Sequence, residues 1–545
     1  MKVSFVFFTD PPRPFSSSVA QLAAVVRAAG HEASALEVGR EERIVDAARR
    51  LEAEAADVVA ISSMTRDWPG AAGLLRELES DAFVVVGGYH ATMAPRDVAV
   101  SPRVDAICIG EGERPLAALL DRLATGTLDA SLPGLWLRAD AGFADAPPAA
   151  DPEPVIDALP RWDYEIFGDV RELLGRGINT FGPHVDGYLP VRASRGCPFT
   201  CAYCSAPRWG KVLGLSDARM KNVRDVSALC EELADLRDRY APEGFEFWDE
   251  HFPIPLAWLE AFARAYPRRV GLPFKVEMHP NAATRPRLEL LAEAGCVLFH
   301  CGVEAGDEAL RRDVLDRRSS DARLDQLFAD CRELGLPTSA SLMTMLPTET
   351  RAQAHSTVSL LRKLRPGSII WSTYQPLPGT VLGEAAVEAW PGPARETFDD
   401  YDDLVSRTPA DMTELERGET FHELATLQNE LVTAAGQAPP RPLDRPTGKR
   451  APSEGLLALL DLGAVRVRSA RLDPSGLILE LAADSFEPRE IVLAPLEEGA
   501  RHYRRAQHLG LSYRGKDAPR ALLDCLDAMA LRLASATFTE LCAAL

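Results

Sequence analysis

The chain has 545 residues, too many for a single hydrophobic core and enough for about three domains. Hydrophobic residues make up 46% and charged residues 26%, and Asp plus Glu outnumber Lys plus Arg by 80 to 60, a formal net charge of -20. That excess argues against a broad phosphate-binding surface, so nucleic acid is not an expected partner. No apolar run reaches signal-peptide or transmembrane length, which points to the cytoplasm and to no membrane partner.

From Lys2 to Leu123 short apolar runs alternate with amphipathic segments, the pattern of a parallel sheet covered by helices on both faces. Strands are expected at Val3–Phe8, Val58–Ser62, Phe83–Val86 and Ala106–Ile109. A helix carrying Val19, Leu22, Val26 and Ala29 is expected between the first two, capped by Ser18 and ended by Gly30. Ligands of such sheets bind beyond the strands' carboxyl ends. Those ends carry Thr9-Asp10, Ser62-Ser63-Met64-Thr65, Gly87-Gly88-Tyr89-His90 and Gly110-Glu111-Gly112-Glu113.

An Ala-, Asp- and Pro-rich stretch from Arg138 to Trp162 reads as a connector. The run Leu189–Ser194 then reads as a strand delivering the chain to Ser194-Arg195-Gly196-Cys197-Pro198-Phe199-Thr200-Cys201-Ala202-Tyr203-Cys204. Three thiolates at this spacing give an iron–sulfur cluster one ligand too few and leave one iron open. Zinc would need a fourth nearby Cys or His, and none follows before Cys230; a disulfide is disfavoured in a reducing compartment. The remaining seven cysteines fall in apolar or helical contexts.

At this motif the chain resembles the radical S-adenosylmethionine (SAM) superfamily. The resemblance implies that Cys197, Cys201 and Cys204 hold a 4Fe–4S cluster whose open iron chelates SAM, with the electron supplied by a flavodoxin- or ferredoxin-type reductant. Further strands near Phe245–Trp248, Phe274–Met278, Leu298–Val303, Thr338–Met345 and Ile369–Thr373 complete six units, the count of the family's partial barrel. Tyr203 holds the position that lies against adenine in the family, and Glu304, in Gly302-Val303-Glu304-Ala305-Gly306-Asp307, the position that helps hold SAM. Asp249 and Glu250 end a strand where a carboxylate meets ribose or substrate, and Asp249 is assigned to SAM. Two features depart from the family. No Gly-Gly-Glu segment is evident, and the familiar Gly-Leu-Pro-Gly-Glu-Thr stands as Met345-Leu346-Pro347-Thr348-Glu349-Thr350. The latter implies altered substrate access at the barrel rim.

The N-terminal segment resembles the cobalamin-binding domain that precedes the barrel in many radical SAM enzymes. This is carried by Val85-Val86-Gly87-Gly88-Tyr89-His90-Ala91-Thr92 followed by Asp105 through Glu113. The resemblance implies cobalamin contacts from Thr9, Ser62, Thr65, Gly87, Gly88, Tyr89, His90, Gly110 and Glu111. The DxHxxG pattern of histidine-ligated cobalamin proteins is absent from the first loop, Thr9 through Pro14, so cobalamin without a histidine lower ligand is expected.

Toward the C-terminus, Phe421, Leu424, Leu427 and Leu431 suggest a helix, residues 438–453 a Pro-rich break, and Val465–Arg471 and Leu477–Leu481 strands joined by Asp473-Pro474-Ser475-Gly476. A helix over 520–533 closes a small module. The expected architecture is α/β: a Rossmann-like cobalamin-binding domain (1–137), a linker (138–188), a partial (β/α)6 TIM-type radical SAM barrel (189–390) and a C-terminal α+β domain (391–545). The function implied is a cobalamin-dependent radical SAM methyltransferase acting on an unactivated carbon or phosphorus of a small-molecule biosynthetic intermediate. One alternative keeps the architecture but uses the radical for cyclisation, ring contraction or transfer of another SAM fragment. The other is a cobalamin-binding sensor.

Overall fold

The computed structural model describes residues 1–389 except 10–14, 40–41, 129–131, 145–147, 152–154, 176–186 and 215–221; beyond these it describes scattered positions in 410–434 and the strands between 466 and 493. The first strand–helix loop after Thr9, the Pro-rich break and the helix expected over 520–533 lie outside the described residues. The chain divides into two compact units, Met1–Leu342 with Ser368–Asp400, and Met343–Gly367 with Tyr401–Leu545.

The first unit opens with a six-stranded sheet of order β2-β1-β3-β4-β5-β6. Its strands are β1 Lys2–Thr9, β2 Glu32–Gly39, β3 Val58–Ser62, β4 Phe83–Gly87, β5 Ala106–Cys108 and β6 Leu135–Leu137. All pairs are parallel except β5 with β6. Helices α1 Ser17–Ala28, α2 Ile44–Ala53, α3 Trp68–Glu77, α4 Tyr89–Met93, α5 Pro95–Ala99 and α6 Glu113–Thr125 connect them.

Alternation along the strands sends Val6, Val59, Ile61, Val84, Val86 and Ile107 into one apolar cluster, and Val3, Phe5, Val58, Ala60, Val85 and Ala106 into another. Strands β2 and β6 were not expected. Glu-Ala-Ser-Ala-Leu-Glu-Val-Gly lacks a strong β signal, and β6 has three residues. The cap of α1 is Ser16, whose hydroxyl accepts the Val19 amide at 3.3 Å, two residues ahead of the expected Ser18.

The second sheet, of order β14-β13-β12-β11-β10-β7, is an open half-barrel. It contains β7 Tyr188–Val191, β10 Gly244–Phe247, β11 Phe274–Glu277, β12 Cys296–Glu304, β13 Thr338–Thr344 and β14 Ser368–Thr373; a separate ribbon pairs β8 Ser194–Arg195 with β9 Asn222–Val223. With the strands go α7 Val170–Gly175, α8 Ala206–Val212, α9 Val226–Tyr240, α10 Leu256–Arg269, α11 Arg285–Ala294, α12 Asp321–Glu333, α13 Arg351–Leu364 and α14 Val381–Ala389, the first preceding β7 and the last following β14. The expected strand Leu189–Ser194 is therefore two short ones. The break has a cause: Asp249, beyond β10, takes the amides of Ala193 and Ser194 at 3.2 and 2.5 Å, ending the ladder.

In the second unit, the turn after β13 holds Met345 and Thr348 at φ 60° and 63°, the left-handed region that favours glycine. These are the two positions where the familiar turn carries glycine, so the chain keeps the conformation without the residue suited to it. Thr350 then caps α13 in a reciprocal box with Gln353. Leu424, Leu427 and Leu431 are buried at helical positions, as expected. The antiparallel strands β15 Arg466–Asp473, β16 Gly476–Ala483 and β17 Phe486–Leu493 form a small sheet. The third was not expected because Pro488 interrupts its pattern, which an edge strand tolerates.

Candidate active site

The cysteine loop starts where the barrel's first strand ends. Asp249 is buried and accepts from Ala193 N, Ser194 N and Ser194 Oγ, and burial pushes its pKa up to about 7 against those donors. Gly196 follows at φ 91°, a turn that glycine allows, and its amide reaches Glu250 Oε2 at 3.2 Å. Inside the loop, Phe199 stacks on His279 with centroids 3.7 Å apart and planes 9° from parallel. Ala202 N donates to Leu315 O, and Thr200 Oγ1 to Asp316 Oδ2. Burial raises the Cys197 and Cys204 thiols to about 12 and about 11.

Across the barrel, Tyr203 Oη donates to Glu304 Oε1 at 2.9 Å. Glu304 ends β12 at φ 69°, a strained conformation for a non-glycine residue, and burial raises its pKa. Arg317 lies 3.8 Å from the Glu304 carboxylate, 3.2 Å from Tyr203 Oη and 3.4 Å from Cys201 Sγ, and donates to Gly302 O at 2.7 Å. Burial works against its charge, yet Tyr203, Glu304 and Cys201 hold it protonated. Its loop is organised by the fully buried Arg311, which donates to Ala305 O, Gly306 O and Ser319 O. Gly302 leaves room for this arrangement, since a Cβ would stand 2.1 Å from Glu304 Oε1 and 2.7 Å from Arg317 Nη2 and one of those side chains would have to move. Nearby, burial and then Glu304 push the Glu277 carboxyl up to about 8.

Arg195, Gly196 and Cys197, at the start of the cysteine loop, also line a cavity of about 1900 Å3, a figure that includes its open mouth. The opposite wall is the carboxyl end of the first sheet: Thr9, Ser62, Gly87, Gly88, Gly110 and Glu111. Between them stand Tyr89 and Trp209, with ring centroids 4.7 Å apart. Deeper, the cavity runs along the sheet over Phe5, Ala60, Val85 and Cys108. Several buried polar atoms on its walls, Arg192 Nε, Arg195 Nε, Glu113 Oε2 and Trp248 Nε1, have no hydrogen-bond partner among the described residues.

Of the residues singled out from the sequence, the fold brings Thr9, Ser62, Gly87, Gly88, Tyr89, Gly110, Glu111 and Cys197 to one cavity. Thr65 and His90 are not on its wall. His90 is buried and stacked on Trp68 at 5.0 Å, because adjacent residues of α4 point in different directions and Tyr89 takes the cavity side. Asp249 accepts from the backbone of Ala193 and Ser194, while its neighbour Glu250 lines the cavity. Arg192, Arg195, Trp209, Trp248 and Arg317 were not singled out. Only Arg195 had a local signal, its place directly before Gly196-Cys197.

Comparison with known proteins agrees with this geometry. Residues 14–120 match the B12 binding domain and residues 191–361 the radical SAM superfamily. An uncharacterized methyltransferase from Pyrococcus horikoshii is 25% identical over 343 residues, 61% of this chain and 69% of that protein. An anaerobic magnesium-protoporphyrin IX monomethyl ester cyclase from Rubrivivax gelatinosus is 25% identical over 56% of this chain and 53% of its own length. Among solved structures, the radical SAM methyltransferase TsrM from Kitasatospora setae, with tryptophan and aza-SAM bound, superposes with a TM-score of 0.57 at 19% identity, covering 71% of this chain and 76% of that one. That likeness concerns the fold.

The half-barrel with its three-cysteine loop defines a radical SAM enzyme. With the B12 binding domain ahead of it, the chain belongs to the cobalamin-dependent radical SAM enzymes. No helix among the described residues is long and apolar enough to cross a membrane.

Proposed function

We propose that the protein is a methyltransferase that acts on an unactivated carbon or phosphorus of a small-molecule intermediate. The observation that carries the reading is one cavity lined both by the start of the cysteine loop, Arg195 to Cys197, and by the strand ends of the B12 binding domain. The residues present fit the groups required. Cys197, Cys201 and Cys204 would hold the cluster through three of its irons. The partnerless polar atoms and the apolar depth of the cavity suit a corrinoid with an amide-bearing rim and a long tail. Among the described residues no histidine lines the cavity, in line with cobalamin held without an imidazole ligand.

When bound, the cluster and SAM supply hydrogen abstraction by a carbon radical, and cobalamin supplies methyl transfer. The chain's share is placement. Glu304, aligned by Tyr203 and Arg317, offers a charge-assisted acceptor for the SAM ammonium in a site with little water. Asp249 ties Ala193 and Ser194 to the end of β10 and so sets where the loop begins. Tyr89, Trp209 and Trp248 cover the passage between the two walls with aromatic surface and exclude water. An external one-electron reductant of flavodoxin or ferredoxin type completes the system.

The test is anaerobic reconstitution with iron, sulfide and cobalamin, followed by turnover of candidate scaffolds with methyl-labelled SAM. Label in the product and loss of 5′-deoxyadenosine in Cys201→Ala support the reading. 5′-Deoxyadenosine with unlabelled product would instead favour the non-methylating alternative, the chemistry named for the Rubrivivax relative.

A further inference from the structure

One charged pair on the cavity wall is only half hydrogen-bonded. Arg195, which precedes Gly196-Cys197, and Glu113, the first residue of α6, are 6% and 4% exposed in their side chains, and both line the cavity. Arg195 Nη2 donates to Glu113 Oε1. Arg195 Nη1 donates to Glu111 Oε2 at 3.2 Å, and Glu111 Oε1 accepts Trp209 Nε1 at 3.0 Å. Arg195 Nε and Glu113 Oε2, both buried, have no hydrogen-bond partner among the described residues. A guanidinium and a carboxylate can make two parallel bonds, and here one is made while a donor and an acceptor stay open on the same joined pair. Buried polar atoms are seldom left so, and this pair faces a cavity.

The chemistry that completes it is narrow. A group is needed that donates to Glu113 Oε2 and accepts from Arg195 Nε–H. A primary carboxamide does both from adjacent atoms. A carboxylate offers no donor, and it would set a third negative charge beside Glu111 and Glu113 in a poorly hydrated wall.

We propose that a primary carboxamide on the rim of cobalamin closes the open half of the Arg195–Glu113 pair. Glu113 is then a specificity residue that selects amidated corrinoids over their acids, and Arg195 a positioning residue that orients the cofactor from the start of the cysteine loop. The inference rests on the cobalamin reading above.

The experiment is equilibrium binding, followed by visible absorbance, of cobalamin and of its b-, d- and e-monocarboxylic acids, each with one rim amide hydrolysed. In the wild type one acid binds about tenfold or more weakly than cobalamin, the scale of one charge-assisted hydrogen bond replaced by repulsion. In Glu113→Gln, whose amide donates to a carboxylate, that acid regains most of the loss. If all three acids bind the wild type within about twofold of cobalamin, the pair is satisfied by water and the inference fails, while the cobalamin reading stands. A penalty that persists unchanged in Glu113→Gln overturns the role of Glu113. Failure of cobalamin itself to bind overturns both. The wild-type comparison decides the matter even where a variant does not fold.

Discussion

The two six-stranded sheets share mainly parallel strands yet bury different chemistry. In the first, helices cover both faces, and alternate residues such as Val85 and Val86 enter separate apolar clusters. In the half-barrel, Phe245, Phe247, Phe274 and Val276 alternate with buried Glu246 and Lys275, and His300 is buried on β12. A sheet between two helical layers leaves little room for polar side chains within its strands, and there only a small one, Ser4, is fully buried, bonded to Ser34 and Glu54. A curled sheet encloses a concave face, where polar groups can meet one another and a ligand. The turns differ likewise: Gly88 and Gly110 take the positive φ angles at the first sheet's strand ends, whereas Glu304, Met345 and Thr348 take them in the barrel segment. Strain is thus concentrated on the barrel side, as is usual near functional sites.

The contrast can be broken most sharply at Lys275, which stands in register with Glu246 on the neighbouring strand and 4.9 Å over the Tyr188 ring. Lys275→Met leaves a buried carboxylate facing an apolar side chain and is expected to cost about 3–5 kcal/mol, with much of it recovered in the double variant with Glu246→Gln. Denaturant unfolding measures both. If Lys275→Met costs no more than a conservative truncation in the first sheet, the difference between the sheets is cosmetic.

Gly302→Ala tests the crowding beneath Glu304. The added methyl must displace the carboxylate or Arg317, at a cost of about 1–3 kcal/mol. It is also expected to weaken SAM binding to the cluster-loaded protein by about tenfold, measured at equilibrium. An unchanged affinity would remove Glu304 from the SAM site.

A smaller effect depends on pH. Burial lowers the His300 pKa to about 4 from 6.5, so the unfolded chain binds the proton more readily. Stability is fully present above pH 6.5 and falls as pH drops toward 4. Relative to wild type, His300→Gln is expected to flatten this acid limb by about 1–2 kcal/mol at pH 5 in paired unfolding curves. Equal slopes would mean that the imidazole is not held neutral.

The smallest change is Thr348→Gly. Relief of a left-handed threonine, about 1–2 kcal/mol, exceeds the entropy glycine adds to the unfolded chain, about 0.5–1 kcal/mol. Because Thr348 is exposed, little packing is lost. A net gain of about 0.5–1 kcal/mol in thermal unfolding is expected, and a loss would show that the side chain has a role at the turn.

Much of the architecture was legible because its signals are local. Strand β3 is found at the expected Val58–Ser62 and β4 at Phe83–Gly87, one residue beyond the expected Phe83–Val86, since apolar periodicity needs no knowledge of partners. The edge strands β2 and β6 escaped because edge strands carry weak patterns. His90 and Asp249 show the same limit in the site. Both stand at strand ends, as the sequence indicates, but the direction of each side chain is set by Trp68 in one case and by the Ala193 and Ser194 amides in the other.

By itself the sequence determined the three-cysteine loop, the glycine-bearing strand ends and the order of domains, because spacing along a chain dictates which groups can share one small inorganic site. Only the tertiary structure decided that Tyr203, Glu304 and Arg317 converge, and that Arg195 meets Glu111 and Glu113 on the wall of a cavity. Those contacts join residues 82 to 114 positions apart, and packing alone brings them within hydrogen-bonding reach.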